Sequence, residues 1–151
     1  MARVRVSTTI HASPARVWAA IDDISTHVRW MNDAEAIRFA DGSPRQGVGT
    51  QFDCDTRVGP LHLTDQMVIT AWEPGRRMGV GHTGVVSGFG QFTLRANRLG
   101  HTRFTWTEHL WFPWWLGGPF AALPGRLVLG RVWRRNLANL KRLVEDQNGR
   151  S

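Results

Sequence analysis

Alternation of apolar and polar residues at the start of the chain predicts a strand. Residues 3–10 place two valines, a threonine and an isoleucine on one face and arginines and hydroxyl residues on the other, as in a strand with one buried side. Ser13 then stands where a helix N-cap is expected, and Pro14 stands at the first helical position. A short helix is therefore predicted after the strand, and a second one near residues 23–28.

From residue 34 onward, strand-like segments are separated by turn residues. Runs such as "DGSPRQG" at 41–47 and "EPG" at 73–75 mark the turns, and connections this short favour antiparallel hairpins. Gly88 and Gly90 inside one strand indicate a bulge or a sharp bend. The six strands are predicted at 34–40, 48–58, 61–72, 76–83, 86–96 and 101–112.

A long amphipathic helix of about 33 Å is predicted near residues 125–146. Because the apolar face of the sheet and the apolar stripe of the helix must cover one another, we expect an α+β fold. In this fold a curved seven-stranded antiparallel sheet wraps around the C-terminal helix. The inward stripe of the helix is predicted to contain Leu123, Leu127, Gly130, Trp133, Leu137, Leu140 and Val144.

Length and composition indicate one globular domain spanning residues 1–151. The net charge of +7 comes mainly from arginines. This charge leaves two interpretations open: a solvated basic face, or docking on nucleic acid or an acidic protein. No nucleic-acid-binding motif occurs, so nucleic acid is not an expected partner. The first residues lack the apolar run of a signal peptide, so a cytoplasmic location is expected.

Motifs for cofactors and metals are weak. The lone Cys54 excludes an internal disulfide and a multi-cysteine zinc site. The segment "GVGHTG" at 79–84 has the glycine spacing of a dinucleotide loop, but it lies among strands and is interpreted as a turn. The chain contains no HExxH, CxxC or GxSxG sequence. No cofactor and no metal are therefore expected.

Glu108 is the main candidate for chemistry. On the predicted last strand it shares a face with Phe104, Trp106 and Leu110, so burial would disfavour its charged form unless a partner compensates. Two interpretations stay open: a polar anchor or acid/base inside a cavity, or a structural pair with an arginine. His109 falls on the opposite face, so the two adjacent residues are not a catalytic pair.

Two further polar residues are predicted to point inward. His82 aligns with Met78 on one strand, and Asp65 aligns with Met67 on another. If Glu108, His82 and Asp65 converge, they form an acid/base set suited to aldol-type cyclisation or dehydration.

Five segments together resemble one known superfamily. They are the opening "VRVSTTIHASPARVWAAIDDISTHVRWMNDA", "GVGTQF" at 47–52, "VITAWEPGRRM" at 68–78, "HTRFTWTEH" at 101–109 and the closing "LANLKRLVED". The resemblance is to the polyketide cyclase/dehydrase and lipid-transport (SRPBCC) superfamily. It implies a START-like, helix-grip fold with a hydrophobic cavity between sheet and long helix. It does not choose among the lipid carriers, aromatases and regulatory subunits of the superfamily.

The leading hypothesis is that this cavity binds a hydrophobic small molecule, such as a lipid, a polyketide or an aromatic metabolite. The alternative is a polyketide cyclase or aromatase-dehydratase that uses Glu108 as acid or base, with His82 as the second candidate catalytic residue. The sequence decides neither enzymatic activity nor oligomeric state. The expected ligand-binding residues are Trp30, Phe52, Met67, Met78, Phe92, Phe104, Trp106, Glu108, Leu110 and Trp133.

The segment "LWFPWWLGGPFAALPG" between the last strand and the helix is longer and more aromatic than the superfamily usually shows. Trp111, Trp114 and Trp115 are expected to lie in or beside a loop over the cavity mouth. They can form a lid, make transient contact with a membrane surface, or simply plug the end of the core.

Overall fold

A computed structural model describes residues 1–150 and contains one seven-stranded antiparallel sheet. Its order is β1-β7-β6-β5-β4-β3-β2, so every neighbour except β1 and β7 is adjacent in the chain. This confirms the predicted antiparallel sheet. The strands are β1 (Ala2–Ile10), β2 (Ala34–Phe39), β3 (Gln51–Val58), β4 (Leu61–Glu73), β5 (Arg77–Thr83), β6 (Ser87–Ala96) and β7 (Thr102–Trp111).

Two short helices follow β1, as predicted. Helix α1 (Pro14–Ile21) begins after Ser13, whose hydroxyl accepts a hydrogen bond from the backbone N–H of Arg16 at 3.3 Å. The second is a 3-10 helix (Ile24–Arg29), capped by the carboxylate of Asp23. Both helices bury apolar residues under the sheet.

The long helix α2 (Ala122–Asn148) packs along β1 and confirms the predicted helix-grip arrangement. Five positions of the predicted stripe, from Gly130 to Val144, are buried. The prediction is wrong for Leu123 and Leu127, which are 63% and 62% exposed. In these first turns the inward positions are instead Gly125 and Leu129. Among residues 1–150, no helix combines the length and apolar composition needed to cross a bilayer.

Buried polar bonds join the helix to the segment that enters β2. Asn136 is fully buried on α2. Its Oδ1 accepts the backbone N–H of Asn32 at 2.9 Å, and its Nδ2 donates to Asp33 Oδ1 at 2.6 Å. A partly buried bond also joins the helix to β1, since Lys141 Nζ donates to the carbonyl of Thr9 at 2.7 Å. Because buried polar groups need partners, these bonds fix the helix in one position over the sheet.

The irregularities of the sheet differ from those predicted. Gly88 and Gly90 pair in regular register with β5 and β7, so a bulge there is wrong, and the alternative of a sharp bend stays a prediction. Bulges occur instead between Ala34 and Ala36 in β2 and between Ile69 and Ala71 in β4. Most of the "GVGHTG" segment is likewise strand β5 and not a turn.

Candidate functional site

A mostly apolar cavity of about 380 Å³ lies between the inward face of the sheet and α2. Its wall contains residues of strands β2 to β7, the 3-10 helix and the first half of α2. The alternation argument placed the inward faces of β4 and β5 correctly. Eight residues expected to bind ligand lie on this wall: Phe52, Met67, Met78, Phe92, Trp106, Glu108, Leu110 and Trp133.

Two of the expected ligand-binding residues do not reach the cavity. Trp30 and Phe104 have no exposed surface and are absent from the wall. The ring of Trp30 packs against Phe92 and Trp106, with centroids 5.8 and 6.2 Å away, and Phe104 packs against Phe92 at 5.2 Å. Both residues therefore form core packing next to residues of the wall. Alternation assigns a residue to a face of the sheet, but it does not say which part of that face faces empty space.

Glu108 is buried in the wall and pairs with His82, not with an arginine. His82 Nε2 lies 3.0 Å from Glu108 Oε2, and the indole N–H of Trp106 donates to Glu108 Oε1 at 3.1 Å. The two side chains of the pair are 10% and 4% exposed. The expected inward orientation of Glu108 is correct, whereas the alternative of an arginine partner is wrong.

The pair reaches across a strand, because β6 lies between β5 and β7. Side chains two strands apart start roughly 10 Å from one another, and a side chain between them would block the contact. Position 90 is a glycine, paired with Glu108 on one side and with Val80 on the other. A Cβ atom there would overlap the Glu108 carboxylate. Gly90 is therefore what allows the carboxylate to lie over β6.

His82 is favoured in its protonated form. Burial alone would lower its pKa, but the hydrogen bond and charge of Glu108 and the charge of Asp65 outweigh this effect and raise the pKa above 6.5. The cavity thus contains a buried imidazole whose equilibrium is shifted toward the protonated form by its carboxylate neighbours. Such a group can donate a proton or a strong hydrogen bond to a bound oxygen.

Asp65 completes the polar cluster from β4. Burial raises its pKa, and the charge of His82 opposes this increase. Thr56 Oγ1 lies 3.5 Å from Asp65 Oδ2. Asp65 Oδ1 is buried and has no hydrogen-bond partner within residues 1–150. Asp65, His82 and Glu108 therefore line one cavity and influence one another's charge, as the convergence hypothesis requires.

The polar wall residues that sequence reasoning missed include His27 and Asp33. His27 Nε2 donates to the backbone carbonyl of Ile21 at 2.7 Å, and burial lowers the pKa of His27 to about 4. Burial raises the pKa of Asp33, although the hydrogen bond from Asn136 opposes the change. Both residues lie outside the regular strands, where alternation gives no orientation. Within residues 1–150, no group of three or more His, Cys, Asp or Glu could hold a metal ion.

The sequence matches the polyketide cyclase / dehydrase and lipid transport family over residues 1–145. The chain belongs to this family. A sequence search of curated proteins finds no match.

Solved structures share the fold of this family member at low sequence identity. A protein from Thermus thermophilus is 17% identical with a TM-score of 0.76, covering 96% of this chain and 98% of that one. The protein XoxI from Bacillus cereus is 14% identical with a TM-score of 0.75, covering 98% and 99%. The Zhui aromatase/cyclase from Streptomyces sp. R1128 is 16% identical with a TM-score of 0.71, covering 95% and 93%. At this identity the likeness concerns the fold alone.

In this member of the polyketide cyclase / dehydrase and lipid transport family, the segment after β7 covers one side of the cavity. Leu116, Ala121 and Gly125 lie on the wall. A Cβ atom on Gly125 would come 2.9 Å from the ring of Phe112, so the glycine lets this ring pack against the start of α2. The tryptophans of the segment do not plug the core, because Trp111, Trp114 and Trp115 are 45%, 87% and 54% exposed.

Proposed function

We propose that the protein binds a hydrophobic small molecule in the cavity, such as a lipid, a polyketide or an aromatic metabolite. The main support for this proposal is the cavity of about 380 Å³, whose wall is apolar apart from a few buried polar groups. Small-molecule sites typically enclose roughly 300–1,000 Å³ and have this composition. Burial of the apolar body of the ligand would supply the affinity, at roughly 25 cal/mol per Å².

The polar cluster would orient the ligand. Asp65 Oδ1 has no hydrogen-bond partner among residues 1–150, and the His82 ring, whose pKa is raised, lines the same cavity. A ligand with a hydroxyl or carbonyl group at one end would satisfy these groups, which are costly when left unpaired. We therefore expect an apolar ligand with one oxygen-bearing end, held against His82 and Asp65.

Native mass spectrometry and solvent extraction of the purified protein test this proposal, since an apolar compound should co-purify. Leu63→Trp adds bulk to a wall residue of β4 and should reduce retention of the compound by about tenfold or more. His62→Trp is the matched control, because the neighbouring residue points to the other face of the sheet. Equal retention in wild type and Leu63→Trp would contradict binding in the cavity.

A second candidate function is cyclisation or dehydration, and the convergence of Asp65, His82 and Glu108 favours it. In an aldol-type ring closure a carboxylate takes a proton from the carbon next to a substrate carbonyl. The resulting enolate carbon forms a C–C bond with a second carbonyl carbon, and the imidazolium of His82 protonates that carbonyl's oxygen. Loss of a further proton and of the hydroxyl group as water then gives the double bond.

Glu108 would act in this reaction by holding His82 and favouring its protonated form. Glu108→Gln keeps the size of the side chain and removes its charge. If the protein is a cyclase or dehydratase, this substitution should abolish turnover of the co-purifying compound class while sparing its binding. Equal loss of turnover and binding would instead favour Glu108 as an anchor for the ligand.

A further inference from the structure

The segment between β7 and the second turn of α2 is apolar on both of its sides. Its inner side lines the cavity through Leu116, Ala121, Pro124 and Gly125. Its outer side exposes a second set of large apolar residues, here called the mouth surface: Trp114, Trp115, Phe120, Leu123 and Leu127.

No part of residues 1–150 covers the mouth surface. Trp114 is 87% exposed and Phe120 is 91% exposed, and neither ring stacks on another ring within residues 1–150. The backbone builds this geometry, because Gly117 and Gly118 have φ values of 100° and 50°, in the region that favours glycine. Clustered large apolar residues on a surface mark an interaction site.

Along the chain, the charged side chains that flank the mouth surface between residues 109 and 144 are all positive. No aspartate or glutamate occurs between Glu108 and Glu145, whereas this stretch contains five arginines and one lysine. Arg126, Arg131 and Arg134 are exposed and form no ion pair with any of residues 1–150. A partner of this surface must therefore combine an apolar interior with negative charge.

We propose that the mouth surface docks on an anionic lipid bilayer, with its rings in the interfacial region and the α2 arginines at the lipid phosphates. A second copy fits poorly, because a symmetric contact would bring the same uncompensated arginines together. Single-stranded nucleic acid offers bases for the rings, but no apolar layer for Leu123 and Leu127.

Docking goes beyond the proposed function. Since the inner side of the same segment lines the cavity, a docked protein would have an apolar layer between bilayer and cavity. Exchange of ligand along this route rests on the proposed function, whereas docking does not. The cavity-filling Leu63→Trp variant should bind vesicles like wild type, so the two proposals can fail separately.

Co-sedimentation with vesicles tests the docking. The protein should bind vesicles of phosphatidylglycerol and phosphatidylcholine, bind phosphatidylcholine alone much less, and dissociate as salt increases. The double variant Trp114→Ser/Phe120→Ser should lower the partition coefficient by about tenfold or more. Arg126→Gln/Arg131→Gln should lower it by roughly thirtyfold, since each basic residue near the surface contributes about 1 kcal/mol.

Matched controls lie at the β6–β7 turn, at the opposite end of β7 from Trp111 and roughly 30 Å away along the strand. Leu99 is 78% exposed there and Arg98 is its exposed neighbour. Leu99→Ser and Arg98→Gln should leave vesicle binding unchanged. If these controls lost as much vesicle binding as Trp114→Ser/Phe120→Ser and Arg126→Gln/Arg131→Gln do, the attraction would be nonspecific. That result would overturn the proposal.

Quenching by brominated lipids gives an independent measurement. Lipid brominated near the headgroup should quench wild-type tryptophan fluorescence on docking, and the Trp114→Ser/Phe120→Ser variant should show most of this quenching removed. Absence of binding to anionic vesicles would overturn the proposal. So would concentration-dependent dimerisation, or single-stranded RNA binding, that depends on Trp114 and Phe120 while vesicle binding does not.

Discussion

The carboxylate of Glu108 occupies the space above Gly90 that any larger residue would fill, since a Cβ atom at position 90 would overlap Glu108 Oε2. Strand β6 separates Glu108 from His82, and because Gly90 has no side chain, the sheet has space there for one carboxylate. This space is here called the cradle. The residue at position 90 therefore influences the protonation of His82 through the position of the Glu108 carboxylate.

Gly90→Ala should displace the Glu108 carboxylate and separate it from His82. We expect a loss of about 1–3 kcal/mol in the free energy of unfolding, as is typical of overpacking, and a lower pKa of His82. Urea denaturation and NMR titration of the His82 ring measure these effects.

Gly81→Ala is the matched control for this substitution. Gly81 lies on the neighbouring strand β5, and a Cβ atom there would meet Val68 Cγ1 at an ordinary 3.5 Å. The control should change neither stability nor the His82 titration by much. An unchanged His82 pKa in Gly90→Ala would contradict the role of Gly90 as the cradle.

Glu108→Gln should lower the pKa of His82, because the carboxylate at 3.0 Å is lost and burial is then opposed only by the charge of Asp65. In wild type the raised pKa adds stability that is fully present below pH 6.5 and is lost as pH rises through the folded-state pKa. The stability difference between wild type and Glu108→Gln should therefore be largest below pH 6.5 and shrink above it. A difference independent of pH would mean that the two side chains are not electrostatically coupled.

The lowered pKa of buried His27 should make the protein less stable in acid. Its folded-state pKa of about 4 lies below the ordinary 6.5, so the unfolded chain binds the proton first as pH falls from 6.5 to 4. This lowering of the His27 pKa corresponds to a loss of about 3 kcal/mol at most in the free energy of unfolding. His27→Gln should be less stable than wild type at pH 7 and should lose less stability between pH 6.5 and 4, measured by urea denaturation at several pH values. Parallel pH profiles would show that His27 is not the residue responsible.

Asn136→Leu should destabilise the contact between α2 and the start of β2. The substitution leaves the backbone N–H of Asn32 and a carboxylate oxygen of Asp33 without their partner, at roughly 1–3 kcal/mol for each buried group. Asn139→Leu is a milder comparison, because Asn139 is partly exposed and its two donated bonds are longer, 3.2 and 3.3 Å. Thermal and urea denaturation of the two variants should rank them in this order, and the reverse order would contradict the importance of Asn136.

Local patterns predicted the strands and their faces because alternation is a short-range property. The inward positions of Asp65, His82 and Glu108 followed from it directly. The bond between His82 and Glu108 could not be predicted, because it depends on which strand separates β5 from β7. Gly90 is the available signal, but a glycine in a strand indicates a bulge or a sharp bend, whereas here it leaves space for the Glu108 side chain.

The remaining differences between prediction and structure concern residues whose burial depends on how the helices and strands pack together. Leu123 and Leu127 continue the apolar spacing of α2, yet they lie on the outer side of the segment that covers the cavity. Trp30 and Phe104 are apolar and inward, but other rings separate them from the empty space. Periodicity identifies apolar residues without distinguishing core, cavity wall and an exposed apolar surface.

The parallel indoles of Trp106 and Trp133 lie 4.5 Å apart, at an angle of 16°, and join the sheet to the long helix. Chromophores this close couple their electronic transitions, so their circular dichroism depends steeply on separation and tilt. Both rings border the empty space. A bound ligand that moves α2 relative to the sheet by a fraction of an ångström should therefore change the near-ultraviolet circular dichroism of this tryptophan pair, without any added label.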